Sequence, residues 1–207
     1  MSVVCFCSPK GGVGKTSLSI NVAGVLARAG LRVLVSPTQL HDVSEYLARN
    51  GNWLKDTLAP FIERGFVVVI DTPPGPTVYL DQTRPVSNLD VVILQADATS
   101  VSLLPSVEAH NFLGRPSPGT PRLVRYVFNL VDLRRKLTRD VVSLLRRRLA
   151  KTMLGIVNYD DSFGDAVAHQ QLVVDRAPMS KASADVRALA AAVRSLLPAH
   201  LDTGGVR

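Results

Sequence analysis

The chain has 207 residues, 46% of them hydrophobic and 5% aromatic, which suits one compact α/β domain with its own core. No apolar run approaches the about 20 residues of a membrane-spanning helix. Met1-Ser2 leads straight into a strand with no secretory leader, and two cysteines with four scattered histidines exclude a disulfide framework or a zinc site. The net charge of +7 leaves room for an acidic partner, and it is concentrated: residues 134–151 hold eight basic side chains and one acid, Asp140, and so carry the whole excess.

Val3–Cys7 is a short apolar run followed by turn residues and reads as a buried strand, with Cys5 and Cys7 reduced and on one face. Residues 14–29 place Leu18, Val22, Val25, Leu26 and Ala29 at helical spacing, and Gly30 ends that helix. A second strand spans 32–35. The segment 36–65 gives helices over 42–50 and 53–64 but no strand. A third strand, 66–70, ends at Asp71, and a fourth is Leu89–Gln95. Residues 115–121, rich in Pro, Gly and Ser, form a loop before a fifth strand at 123–129. An amphipathic helix over 137–149 lines up Leu137, Val141, Val142, Leu144, Leu145 and Leu149. A short sixth strand at 153–157 and a closing helix over 182–197, stopped by Pro198, complete the series. Residues 1–200 thus read as one domain and 201–207 as a disordered tail. Few aromatics, and apolar strands alternating with helices, predict an α/β fold: a doubly wound, mostly parallel sheet with helices on both faces.

Between the first strand and the first helix stands Lys10-Gly11-Gly12-Val13-Gly14-Lys15-Thr16-Ser17. Phosphate binding at such a junction needs glycines so that backbone N–H groups turn inward, a lysine for the β/γ-phosphates, and a hydroxyl for Mg²⁺. Gly11, Gly12, Gly14, Lys15 and Thr16 supply all three, and the positive end of the following helix adds to them. The strict pattern has Gly where Pro9 stands, so this is a variant form. Ligands collect at the carboxyl ends of parallel strands, and Asp71 there is suited to the Mg²⁺ shell beside Thr16.

Lys10 makes this loop resemble the deviant Walker A loop of the ParA/MinD ATPases, P-loop proteins of the SIMIBI type. The resemblance covers about residues 3–35 and 66–197. It implies Mg²⁺ and ATP as ligands, an ATP-dependent homodimer and a weak ATPase activity. Lys10 then crosses the dimer interface to the phosphates of the partner's ATP, alongside Lys15 and Asp71 as the catalytic set. Asp71-Thr72-Pro73-Pro74-Gly75 resembles the family's switch II, whose glycine, here Gly75, senses the γ-phosphate. The resemblance further gives Asn129, at the end of the fifth strand, the adenine edge, and lets Pro178 line the base.

The family's second strand runs into acids that place the attacking water. Here residues 32–35 are followed by Ser36-Pro37-Thr38-Gln39, and the nearest acid is Asp42. Two explanations stand. The chain lacks the group, leaving a nucleotide-gated scaffold that hydrolyses slowly or never, or a segment carrying switch I is omitted between Val35 and Ser36. The abrupt end of the strand among intact motifs favours omission.

Three stretches of the C-terminal third resemble the cellulose-biosynthesis branch, the BcsQ family: Leu144-Leu145-Arg146-Arg147-Arg148-Leu149, residues 160–168 from Asp160 to Ala168, and residues 170–180 from Gln170 to Ser180. That branch implies a cytoplasmic protein that assembles or localises a cellulose synthase complex. Its partners would be small accessory proteins, through which it reaches the inner membrane indirectly. The alternative is a ParA-like partitioning ATPase that binds DNA non-specifically through the 134–151 patch in a salt-dependent way. Nucleic acid is the less favoured partner, because long Arg stems also cover apolar surface, and Arg148 falls inside the apolar stripe of its helix. The closing helix has too few basic residues for a membrane anchor.

Overall fold

Short runs of Val, Ile and Leu bounded by turn residues fold as strands, and helices between them bring successive strands back in parallel. The structure is a computed structural model that describes residues 2–36, 44–75, 77–109, 111–113, 123–198 and 201. Its strands are β1 (Val3–Cys7), β2 (Val33–Ser36), β3 (Val67–Asp71), β4 (Leu89–Gln95), β5 (Leu123–Val131) and β6 (Met153–Asn158). They form one sheet in the order β2-β3-β1-β4-β5-β6, every pair parallel. The helices are α1 (Lys15–Arg28), α2 (Ser44–Arg49), α3 (Trp53–Glu63), α4 (Val78–Thr83), α5 (Ala98–Glu108), α6 (Lys136–Leu149), α7 (Ser162–Ala168), α8 (Val173–Arg176) and α9 (Lys181–Ser195). This is the doubly wound α/β fold expected from the sequence.

Period-two alternation sorts the core onto two faces. Val4 and Phe6 of β1 pack with Leu18, Val22 and Leu26 of α1 and with Val186, Leu189 and Val193 of α9. Cys5 and Cys7 point the other way, into a core with Val107 of α5 and Val142 and Leu145 of α6; both are buried and neither forms a disulfide. A smaller cluster sets Leu58 of α3 against Val3, Val68 and Ile70. Each fully buried aliphatic side chain contributes roughly 1.5–3 kcal/mol relative to exposure.

Boundaries shift slightly from those the sequence predicts. β2 and β3 each move one residue onward, because their pairing starts at Val33↔Val67. Arg32 and Phe66 instead meet as a cation over a ring, 4.7 Å from its centroid. β2 does not stop at Val35: its register runs unbroken through Val35↔Val69 and Ser36↔Ile70. Helices α4, α5, α7 and α8 were not expected. Three of them have seven residues or fewer, and α5 holds Pro105 inside it. Pro37, Thr38, Gln39, Asp42, the loop at 115–121 and residues 202–207 lie outside the described residues. Leu201, the first residue of the expected tail, packs into the α1/α9 core.

β5 is two residues longer than expected, and it is irregular. Phe128 pairs with Ile156 and Val131 with Asn158, so three steps on β5 face two on β6, the signature of a bulge. Leu130 takes a left-handed φ of 56°. Asn129, still in register with Gln95 of β4, is buried on the same face as Val127; beyond it Leu130 turns outward at 36% exposure, and Val131 returns to the core with Phe128.

Candidate functional site: a phosphate loop at the carboxyl rim of the sheet

β1 lies between β3 and β4, where the chain's progress across the sheet reverses, so the loop leaving β1 sits at the switch point where open α/β sheets hold ligands. Gly12 (φ 71°) and Gly14 (φ 83°) take left-handed backbone that side chains with a Cβ rarely adopt. Gly14 begins α1 without a side-chain cap, and the helix has no acid in its first turn. The positive end of a 14-residue helix is thus left for an anion.

The predicted residues gather around this loop. Lys15 is 8% exposed. Burial pushes its ammonium below the ordinary lysine value, against the opposing pull of Asp71 and Cys7. Thr16 donates its hydroxyl to Asp71 Oδ2 at 2.6 Å. Asp71 is the last residue of β3, 5% exposed and paired with Phe6 of β1. Ser17 serves through its carbonyl, which accepts from Asn21 Nδ2 at 2.8 Å. Val13 is buried, and its carbonyl accepts from Asn129 Nδ2 at 2.8 Å, so Asn129 braces the loop from beneath.

Thr72 and Gly75 tie the segment after β3 to β1. The amide and hydroxyl of Thr72 both donate to the Phe6 carbonyl, at 3.2 and 3.0 Å. The Gly75 amide donates to Ser8 O at 2.9 Å, with a φ of 80°. Pro74 lies against Gly11. Pro178 stands apart from these bonds: it is exposed between α8 and α9, and its carbonyl accepts from Arg187.

Lys10 turns back on its own chain. Its Nζ donates to Gln95 Oε1 at 2.9 Å and forms an ion pair with Asp97. Neither Gln95 nor Asp97 was singled out from the sequence. The available signal was positional, since Gln95 ends the strand beside β1 and Asp97 with Ser100 reads as a helix cap.

The pair Thr16 and Asp71 offers hard oxygen donors suited to Mg²⁺. Among the described residues no group of three or more His, Cys, Asp or Glu could hold a metal, so an ion here would share its shell with phosphate oxygens. No described helix is long and apolar enough to cross a membrane.

Much of the basic stretch is engaged within the fold. Arg134 and Arg135 pair with Asp132. Arg139 donates to the Leu133 and Arg134 carbonyls. Arg148 makes a two-pronged contact with Glu108 of α5, at 2.9 and 2.7 Å. That contact explains its place within the apolar stripe. Arg146 and Arg147 remain exposed.

The chain matches the CobQ/CobB/MinD/ParA nucleotide-binding domain over residues 4–174. No curated protein sequence matches it. Solved structures similar to it include an ATP complex of a Cyanothece McdA variant (TM-score 0.73, 16% identity, 95% of this chain and 96% of that one). The MinC:MinD cell division complex of Aquifex aeolicus gives a TM-score of 0.70 at 16% identity, covering 94% and 96%. The septum site-determining protein MinD with Mg-ADP from Pyrococcus horikoshii gives 0.64 at 14%, covering 91% and 94%. At these identities the likeness is one of fold.

Proposed function

The chain belongs to the CobQ/CobB/MinD/ParA nucleotide-binding family, and from that membership we propose that it is an ATP-dependent dimerising ATPase of the ParA/MinD type. The observation that carries the reading is the meeting of Lys15, Thr16 and Asp71 around a loop with two left-handed glycines. Lys15 and the loop amides hold the phosphates. Thr16 and Asp71 hold Mg²⁺, which when bound neutralises phosphate charge. Lys10 reaches the phosphates of the second copy. Gly75 reports on the γ-phosphate once its amide leaves Ser8 O, so nucleotide state sets which surface is assembled. Asn129 meets the adenine edge near Val13, Pro178 lines the base, and residues 1–200 act as one domain.

Within the family we place the chain in the cellulose-biosynthesis branch, assembling or localising a cellulose synthase complex through small accessory proteins. The support is the sequence likeness of residues 144–149, 160–168 and 170–180. The exposed Arg146 and Arg147 support a DNA-partitioning alternative. It is weakened because Arg134, Arg135, Arg139 and Arg148 are already bonded within the chain. A scaffold with little turnover is supported by the absence of a carboxylate from β2.

Light-scattering mass with Mg-ATP and then Mg-ADP tests the switch. The expected result is a monomer that doubles with ATP, and a Lys10→Ala variant that binds ATP but stays monomeric. A mass independent of nucleotide would leave a binding site without a switch. For the branch, a strain lacking the protein is expected to lose cellulose export and to regain it with the wild-type chain but not with Lys15→Ala; export unaffected by the loss of the protein would remove that assignment.

A further inference from the structure

α3 stands on the β2–β3 end of the sheet through Leu58, which packs with Val68 and Ile70. Toward the carboxyl ends of those strands it leaves a cavity of about 250 Å³. Leu34 and Ile70 line it from the sheet, Trp53 and Phe61 from α3, and Thr72 and Pro73 from the segment after β3. We infer that this cavity binds a small, uncharged aromatic molecule, and that its occupant holds the segment after β3 in its present form. The second half rests on reading Gly75 as the γ-phosphate sensor; the first half does not.

The cavity has fixed walls. Gln82 of α4, 3% exposed, also lines it and pins three helices together. Its Nε2 donates to the Leu47 and Asn50 carbonyls at 2.8 Å each, and its Oε1 accepts from the Leu54 amide at 3.1 Å. The two aromatic walls are braced by edge contacts. Trp53 meets Tyr46 at 6.4 Å and 85°, and Phe61 meets Phe66 at 5.8 Å and 89°. Thr72 is held to β1 by two bonds to the Phe6 carbonyl. The space is thus formed before a ligand arrives, which lowers the cost of binding.

Its chemistry selects the ligand. Gln82, Thr72 and Thr83 spend their polar groups on carbonyls and an amide of the chain. Among the described lining residues there is no lysine, arginine or histidine, and Asp71 is a carboxylate. An anion would therefore lose its hydration and gain no partner, whereas a ring packs against Trp53 and Phe61. An apolar cavity of about 150 Å³ already takes benzene, so this one suits one ring or two fused rings, with Kd on the order of tens of micromolar. The sign of its effect follows from the present arrangement, in which the Gly75 amide is bonded to Ser8 O. A γ-phosphate that draws Gly75 away shifts Thr72 and Pro73 with it, so the occupant favours the state without γ-phosphate. By linkage it weakens Mg-AMPPNP binding about fivefold and leaves Mg-ADP binding unchanged.

Trp53 is the single tryptophan of the chain, so protein made with fluorotryptophan carries one fluorine NMR resonance, at the cavity wall. Titration with 2-naphthol is expected to move it, and 2-naphthoate, the same rings with a carboxylate, to bind at least about tenfold more weakly. Val35 and Thr57 line the cavity at exposed positions. Val35→Phe and Thr57→Phe should each fill it, weaken 2-naphthol at least about tenfold, and melt like wild type. A resonance unmoved at the solubility limit of 2-naphthol, or binding that survives both fillings, overturns the site. Equal binding of 2-naphthoate overturns the ligand class. Calorimetry with each nucleotide, with and without 2-naphthol, tests the coupling. Weakening of Mg-AMPPNP and Mg-ADP alike would put 2-naphthol in the nucleotide site and overturn both halves; no effect on either overturns the coupling. If the fluorine resonance is the same with Mg-ADP as with Mg-AMPPNP, the Gly75 reading fails and the second half with it, while 2-naphthol binding still decides the first.

Discussion

Replacing Lys15 by Met should make the nucleotide-free protein more stable and deprive it of its ligand. Lys15 is 8% exposed, and its charge is penalised chiefly by burial, with Asp71 and Cys7 only partly compensating. Met keeps the apolar stem and removes the charge, a change of the kind that yields about 1 kcal/mol. For a chain of this length that is roughly 2–4 °C in Tm. The penalty is largest below the folded-state pKa, where the group is charged in both states. Between the folded and unfolded values the unfolded chain holds more protons, so wild-type stability rises with pH and the gap to Lys15→Met narrows. Losing a charge-assisted phosphate contact should cost ATP binding about 2–5 kcal/mol. Scanning fluorimetry with and without Mg-ATP separates the terms. Ligand at about 100 times its Kd adds roughly 2.7 kcal/mol to wild type and less than about 1 kcal/mol to the variant. A variant that melts below wild type without nucleotide would refute the reasoning, because Lys15 would then be a structural cation rather than a strained one.

Asp71→Asn should raise the Mg²⁺ concentration needed for half-maximal ATP binding by about 10–100-fold, measured by titrating metal at fixed nucleotide; an unchanged requirement would separate Asp71 from the metal. Leu145→Ala, at a fully buried position between α6 and the sheet, should cost about 3–5 kcal/mol in denaturant unfolding, and a loss under 1 kcal/mol would mean that α6 is loosely packed. Glu108→Gln, by contrast, should cost less than about 1 kcal/mol, because the Arg148 pair is partly exposed.

The strands were legible because five of the six are apolar runs with little competing pattern, and the phosphate loop because its glycines and lysine have few other uses. α5 escaped notice since Ser, Thr and Pro105 interrupt any helical stripe. α4 and α8 are too short to establish a period. The cis partners of Lys10 were hidden for a different reason. Gln95 and Asp97 lie 85 and 87 residues away along the chain, and only the placing of β4 beside β1 joins them. Asn129 was expected at the strand end, but its bond to the Val13 carbonyl joins residues 116 apart, and the run Val-Phe-Asn-Leu-Val does not announce the bulge at Leu130 that follows it.

That bulge separates packing from reach. With a side-chain period of two, removing Leu130 would let Val131 follow Asn129 and still face the same core as Phe128. The sheet would close over the deletion, and a left-handed backbone costing about 1–2 kcal/mol would be relieved. Asp132 and the arginines it holds would then be drawn one position back toward the phosphate loop. The extra residue thus works as a spacer: the strand could do without it, and the rim could not keep its present spacing without it.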